Sequence, residues 1–270
     1  MTEMTAVATG GTRHRSGLRT ALRDSAVLSG RSIRHIVRNP EQAMVVVFLP
    51  IMLLVLFRYL FGGAIQTGAG GYVNYLIAGI MVISVAFNAT TTTVGVCTDM
   101  LEGIVERFRS MPMVSTAVLT AHVVAAVVRN LISMTVIVLV GLLIGFRPAA
   151  SPAGWAAAVG LMVLFVAAIS WLAVIFGLLA DSPEGATGLS LIIVFVPYAS
   201  SAFVPPGTMP TALRLIVENQ PVTPVIDAVR GLLLDQPIGN AGWLAVAWWG
   251  GILLIAVPLA GFLFRRRTGR

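Results

Sequence analysis

The chain contains no lysine, so its 18 Lys+Arg residues are all arginines. A nucleotide-binding P-loop needs a lysine to reach the β- and γ-phosphates. No such loop exists here, and any ATP-driven step has to be powered by another polypeptide. Cysteine is nearly as scarce. Cys97 stands alone, which excludes an internal disulfide and any cysteine-built metal cluster. Charge is thin, at 11% of residues against about 25% in ordinary soluble domains. The 11 carboxylates fall in connecting segments or the N-terminal tail, none of them in the middle of an apolar run. A proton-coupled carrier ordinarily keeps an ionisable relay inside the membrane. His14, His35 and His122 lie in or near polar segments, and neither a Ser–His pair nor an HExxH is present, so an intramembrane protease lacks its parts. The first 42 residues carry seven arginines and no apolar h-region. They read as a cytoplasmic segment leading into an uncleaved first span.

Apolar residues, by contrast, make up 57% of the chain, and the mean hydropathy is +0.91. Such a sequence is satisfied most simply by lipid. Apolar runs at 43–61, 74–97, 119–145, 155–180, 186–204 and 243–264 predict an all-α membrane protein of six spans, the fifth near the short limit. Pro50, Pro197 and Pro258 fall inside spans, where a packed bundle tolerates kinks. With both termini cytoplasmic, the inner segments carry thirteen arginines and the outer ones three, a clear positive-inside bias. Tyr59, Tyr72, Tyr75, Trp155 and Trp243 fall at the expected outer ends, as an aromatic belt would. Arg58 and Arg129 remain within spans, each close enough to an end to snorkel, Arg58 outward and Arg129 inward. The chain thus divides into a cytoplasmic segment 1–42, a membrane domain 43–264 and a basic cytoplasmic tail 265–270. Within the first segment, Leu18, Leu22, Ser29, Ile33, Ile36 and Val37 share one helical face. Arginines occupy the flank and the opposite side, the pattern of a helix lying on anionic lipid, and also of a solvated charged helix.

Three segments carry mechanism. Between spans two and three, about residues 98–112, Met100, Leu101, Ile104, Val105 and Phe108 share one helical face, and Asp99, Glu102, Glu106 and Arg109 the other. This is a short amphipathic helix on the cytoplasmic side, ended near Pro112. Either a cytosolic partner grips it or it is a surface loop helix. Anionic headgroups would repel Glu102 and Glu106, which favours the partner. In the outer loop, Pro210 and Pro224 suit helix first turns and Thr223 an N-cap. They predict two short helices, about 210–219 and 224–235, either re-entrant or forming an outer cap. Span two holds the densest polar content: Ser84, Asn88, and Thr90 to Thr93, with Thr91 and Thr92 among them. These residues line a translocation path or bond neighbouring helices. Asn88 also begins a formal glycosylation sequon, discounted because it lies mid-span. Gly141 and Gly145 form a GxxxG in span three that permits close helix approach.

Several blocks together resemble the type-2 ABC transporter permease family, especially the membrane subunits of daunorubicin-resistance-like exporters of actinobacteria. They are Arg38-Asn-Pro40, Leu49-Pro50 with Phe57 and Phe61-Gly62, Glu106-Arg-Phe-Arg-Ser-Met-Pro112, and Asn219-Gln-Pro-Val-Thr-Pro-Val-Ile-Asp-Ala-Val-Arg-Gly231. The last is the most specific, and the resemblance runs from about Arg31 to Arg267. It implies a multi-pass bacterial cell-membrane subunit that is not itself an enzyme, with two permease copies or homologues per transporter. It also implies separate cytosolic ATP-binding subunits, which hold the ATP and magnesium, so that this chain carries neither cofactor nor metal. The 98–112 helix becomes the coupling helix, with Asp99, Glu102, Glu106, Arg107, Phe108, Arg109, Met111 and Pro112 at the ATPase. Asn219, Pro221, Pro224, Asp227 and Arg230 belong to re-entrant outer helices. The cargo is a hydrophobic or amphipathic drug, antibiotic or lipid; nucleic acid is not a partner. An ion- or proton-coupled carrier and a non-transporting assembly subunit remain as alternative readings.

Overall fold

A computed structural model describes residues 40–65, 71–102 and 117–268. The expected interface helix at 18–37 lies outside these residues, as do Glu106, Arg107, Phe108, Arg109, Met111 and Pro112. Among the described residues every regular element is helical. The elements are α1 (Pro40–Phe61), α2 (Gly71–Leu101), α3 (Ala117–Leu143), α4 (Pro152–Leu179), α5 (Pro183–Phe195), α6 (Thr211–Asn219), α7 (Val222–Leu234) and α8 (Ala241–Thr268). Two short 3₁₀ turns, Val196–Ala199 and Pro206–Thr208, stand between α5 and α6. Among the described residues four helices are long and apolar enough to cross a membrane: α2, α3, α4 and α8.

Local chemistry sets the helix ends. α4 starts with Ser151, whose hydroxyl accepts from Gly154 N at 3.1 Å, followed by Pro152 where a missing N–H costs nothing. Ser182 and Pro183 repeat the device for α5. α3 ends in a turn at Gly145, whose φ of +110° suits glycine alone. Of the GxxxG pair, then, only Gly141 serves close packing: a Cβ there would overlap the Ile77 side chain of α2.

α2 is the axis of the bundle, packed against α1, α3, α4, α5 and α7. Leu76, Ile77, Ile80 and Ile83 of α2 meet Met162 and Phe165 of α4, Ile137 of α3 and Ile226 of α7 in one apolar core. Val96, Leu119, Val174, Leu178, Ala256 and Phe264 form a second cluster nearer the ends of α2, α4 and α8. At two places the backbones come so close that only glycine fits. A Cβ on Gly79 would strike Ala202, and one on Gly177 would strike the Thr93 carbonyl and Val96.

The structure corrects several sequence expectations. α2 does not stop at residue 97. Thr98–Leu101 form its last turn and Glu102 N still donates to Thr98 O at 2.9 Å, so any separate amphipathic helix begins after these residues. Leu101, expected on the face seated against the bundle, is 51% exposed. The fifth apolar run leaves the helix at Ala199 rather than 204. Pro197 supplies no N–H to a continuing ladder, and the Ser200 hydroxyl takes the Pro197 carbonyl. α7 begins at Val222, one residue before the expected cap; Thr223 sits buried in its first turn and accepts from Gln220. Tyr72 and Tyr75 turn inward instead of joining an aromatic belt, whereas Tyr59 and Trp243 are exposed as expected.

Candidate functional site

The polar residues of α2 are spent mainly on one seam. Ser84 meets the Ser133 hydroxyl of α3 at 2.9 Å, and Asn88 donates through Nδ2 to Asn130 Oδ1 at 2.8 Å. One turn further, Thr92 Oγ1 accepts from Arg129 at 3.2 Å, and at the end of α2 the Asp99 carboxylate pairs with His122 at 2.7 Å. Ser84, Asn88 and Thr92 are each one helical turn or so apart, so they present a single face to α3. A buried hydroxyl or amide in an apolar bundle has to find a partner, and facing residues at matched spacing supply it. Thr90 instead bonds Ser190 of α5 at 2.9 Å.

Thr91 is different. α2 is buried on most of its surface, yet Thr91 is exposed, and Phe87, Val94 and Thr98 at helical spacing beside it are half-buried. The same helix therefore turns a polar-apolar stripe outward over its last four turns. Of the residues read as a transport path, Ser84, Asn88 and Thr92 lie in the α2–α3 seam and Thr91 lies on this open stripe.

Asp99 and Glu102 are the described part of the expected coupling segment. Asp99 is not a free handle: it is held by His122, whose ring also packs on Gly95. That pair ties the end of α2 to the first turns of α3 and so closes the neck of the loop between them. Glu102 is exposed. A second knot stands nearby. Arg267 of α8 donates to the carbonyls of Leu178 and Ala180, which cap α4, and lies 3.7 Å from Asp181. The Cys97 thiol donates to the same Ala180 carbonyl at 3.6 Å.

At the other end of the bundle α2, α7 and the chain after α5 converge on one arginine. Arg230 of α7 donates to Asp227 Oδ1 at 2.7 Å, to Ser201 O at 2.8 Å and to Tyr75 O at 3.0 Å. Its guanidinium lies over the Tyr75 ring, 3.7 Å from the centroid. Tyr75 donates to Ser201 O at 2.7 Å and Tyr72 to Phe203 O at 3.0 Å, while Ser201 Oγ donates back to Asp227. The non-helical chain after α5 is thereby satisfied by side chains of α2 and α7, as membrane-depth backbone requires. Pro221 accepts from Trp249 Nε1 of α8 at 2.9 Å, Pro224 is buried in α7, and Asn219 donates to Leu215 O at the end of α6. α7 is buried along most of its length; α6 is largely exposed, with Leu213, Leu215 and Ile216 outward. The sequence marks Asp227 and Arg230 as residues of the two short helices and Tyr72 and Tyr75 as belt residues, without joining them; it does not single out Ser201.

An apolar groove of about 190 Å³ opens between α3 and α4, lined by Met81, Met134 and Met162 with Leu131, Val138 and Trp155. Among the described residues no cluster of His, Cys, Asp and Glu has the makings of a metal site.

A helical bundle this apolar, with its polar groups engaged in tying helices together at both ends, is built as a polytopic membrane protein is. The family model of the ABC-2 type transporters matches residues 25–234, and the chain belongs to that family. It is similar to the daunorubicin resistance ABC transporter permease protein DrrB1 of Streptomyces coeruleorubidus, 30% identical over 234 residues that cover 85% of this chain and 81% of the relative. It is also similar to the probable doxorubicin resistance ABC transporter permease protein DrrC of Mycobacterium tuberculosis, 22% identical over 216 residues, with coverages of 79% and 78%. The chain is the membrane-embedded permease subunit of an ABC exporter, as the resemblance of its outer-loop block implied.

Proposed function

We propose that this chain exports a hydrophobic or amphipathic compound, working with a second permease copy and a pair of separate cytosolic ATPase subunits. The observation that carries the reading is the 30% identity to a drug-resistance permease over 85% of the chain. A permease without lysine is complemented by an ATPase that supplies the P-loop and holds ATP and magnesium.

The membrane domain has six spans on this reading. α1, of 22 residues, rises about 33 Å, and α5 with its 3₁₀ turn about 27 Å, which brackets a hydrocarbon core of about 30 Å. Both termini then face the cytoplasm, as the arginine balance requires. The loop after α2 meets the ATPase through Glu102, Glu106, Arg107 and Arg109, with Asp99–His122 fixing its neck. The open stripe at Thr91 faces the transported compound, and α6 and α7 close the outer end. Coupling works by differential binding: ATP-bound ATPase favours one permease arrangement over another.

The test replaces Glu106 and Arg107 together with alanine and follows ATPase co-purification and ATP-dependent dye efflux from vesicles. Loss of both is expected. Wild-type efflux with unchanged ATPase capture would remove the coupling assignment, and efflux driven by a pH gradient without ATPase would replace the whole reading with a secondary carrier.

A further inference from the structure

Arg129 stands twelve residues into α3 and fourteen from its end, near the middle of a helix about 40 Å long and not near an end as the sequence led us to expect. A guanidinium keeps its charge and offers five N–H donors. The described partner of this one is the Thr92 hydroxyl, 3.2 Å from Nη2. Its Nε is buried without an acceptor, and among the described residues no carboxylate pairs with it. Other described arginines contrast with it. Arg230 has three acceptors, Arg267 two carbonyls, Arg147 two carbonyls and Arg214 a glutamate. Arg58 also has an unpartnered Nε, but it lies in the last turn of α1, where a side chain reaches headgroups. An uncompensated cation at mid-helix is costly and marks a functional position by default.

Its surroundings define what would compensate it. Thr92 is 2% exposed and faces α3, a 100° step round α2 from exposed Thr91, so the guanidinium is held inside the α2–α3 seam. A charge and an Nε donor without an acceptor meet there inside an apolar bundle.

We propose that Arg129 is the head-group site for an acidic amphiphile: an oxyanion, carboxylate or phosphate, takes its unpartnered Nε donor. Planar oxyanions match the guanidinium fork. The role of Arg129 as a cargo site rests on the transport reading above; the binding itself does not. Two sources share the chemistry: the phosphate of an inner-leaflet phospholipid, and the head group of a free acidic cargo.

The full chain in a non-ionic detergent is titrated with a fluorescent fatty acid and with its methyl ester. Roughly tenfold tighter binding of the acid is expected, the usual advantage of a charge-assisted hydrogen bond. Arg129→Gln abolishes that preference, Arg129→Lys retains part of it, and Arg58→Gln leaves it intact. Equal binding of acid and ester by the wild-type chain overturns the proposal, as does an undiminished preference in Arg129→Gln. Should that variant fail to fold, the wild-type comparison and Arg129→Lys decide. Competition separates the sources: displacement of the acid by phosphatidylglycerol but not phosphatidylcholine assigns the site to lipid phosphate, and no displacement by either assigns it to cargo. ATP-dependent dye efflux that persists without any acid preference would sink this site and leave the transport reading standing.

Discussion

At the scale of single residues the end of the bundle where α7 meets α2 depends on Arg230. Its side chain is 11% exposed and serves three acceptors on three different segments. Arg230→Gln keeps some reach but loses the charge and the fork, leaving Asp227 with Ser201 alone. Breaking such a pair is expected to cost roughly 2–4 kcal/mol, less than for a fully buried pair because Asp227 is partly exposed. Tyr75→Phe removes one hydroxyl bond to Ser201 O and is expected to cost about 1 kcal/mol. Thermal unfolding in detergent ranks the two, and a Tyr75→Phe loss equal to that of Arg230→Gln would show that the guanidinium is not the hub. Asp227 and Arg230 were legible because they sit in a recognisable block of sequence. Tyr72 and Tyr75 were not, because an inward and an outward tyrosine at a helix end look alike until the partner backbone is placed.

At the scale of helices, close approach rather than polar content decides how α2 meets its neighbours. Gly177 lies where a Cβ would be 2.6 Å from the Thr93 carbonyl, whereas a Cβ on Gly160 of the same helix meets nothing within 4 Å. Gly177→Ala should therefore push α4 off α2 and cost about 1–3 kcal/mol. Gly160→Ala should be neutral or mildly stabilising, since alanine is the better helix former. Equal effects on unfolding would mean that the α2–α4 spacing is not set at Gly177. The seam to α3 adds less. A double-mutant cycle on Ser84 and Ser133, each to alanine, should give a coupling near 0.6 kcal/mol, because the separated helices also find partners. Hydropathy located the long helices well, since twenty apolar residues admit few other fates in lipid. It could not locate the end of the fifth run or the junction at 98–101. At the first, a proline and a serine rewire the backbone inside an apolar stretch; at the second, a helix simply continues through polar residues. The GxxxG pair was half informative for the same reason: spacing shows where glycines are, and only the neighbouring helix shows which one it touches.

At the scale of the whole molecule, the Arg267 and Arg230 knots give the bundle distinct poles. The pole near Arg267 carries Arg265 and Arg266 in the last turn of α8 and the exposed Glu102 beyond α2. The opposite pole carries the Arg230 knot and the loop at Gln236. Positive charge resists translocation, so the first pole should be cytoplasmic. Cys97 makes this testable without first removing a native thiol, because it is fully buried and donates to a backbone carbonyl. An impermeant maleimide should leave the wild-type chain unlabelled. It should label Gln236→Cys on intact cells and Glu102→Cys only after permeabilisation. Labelling of Glu102→Cys from outside would invert the molecule, placing the α2–α3 loop where no cytosolic ATPase reaches it, and the coupling reading could not survive that result whatever the family resemblance.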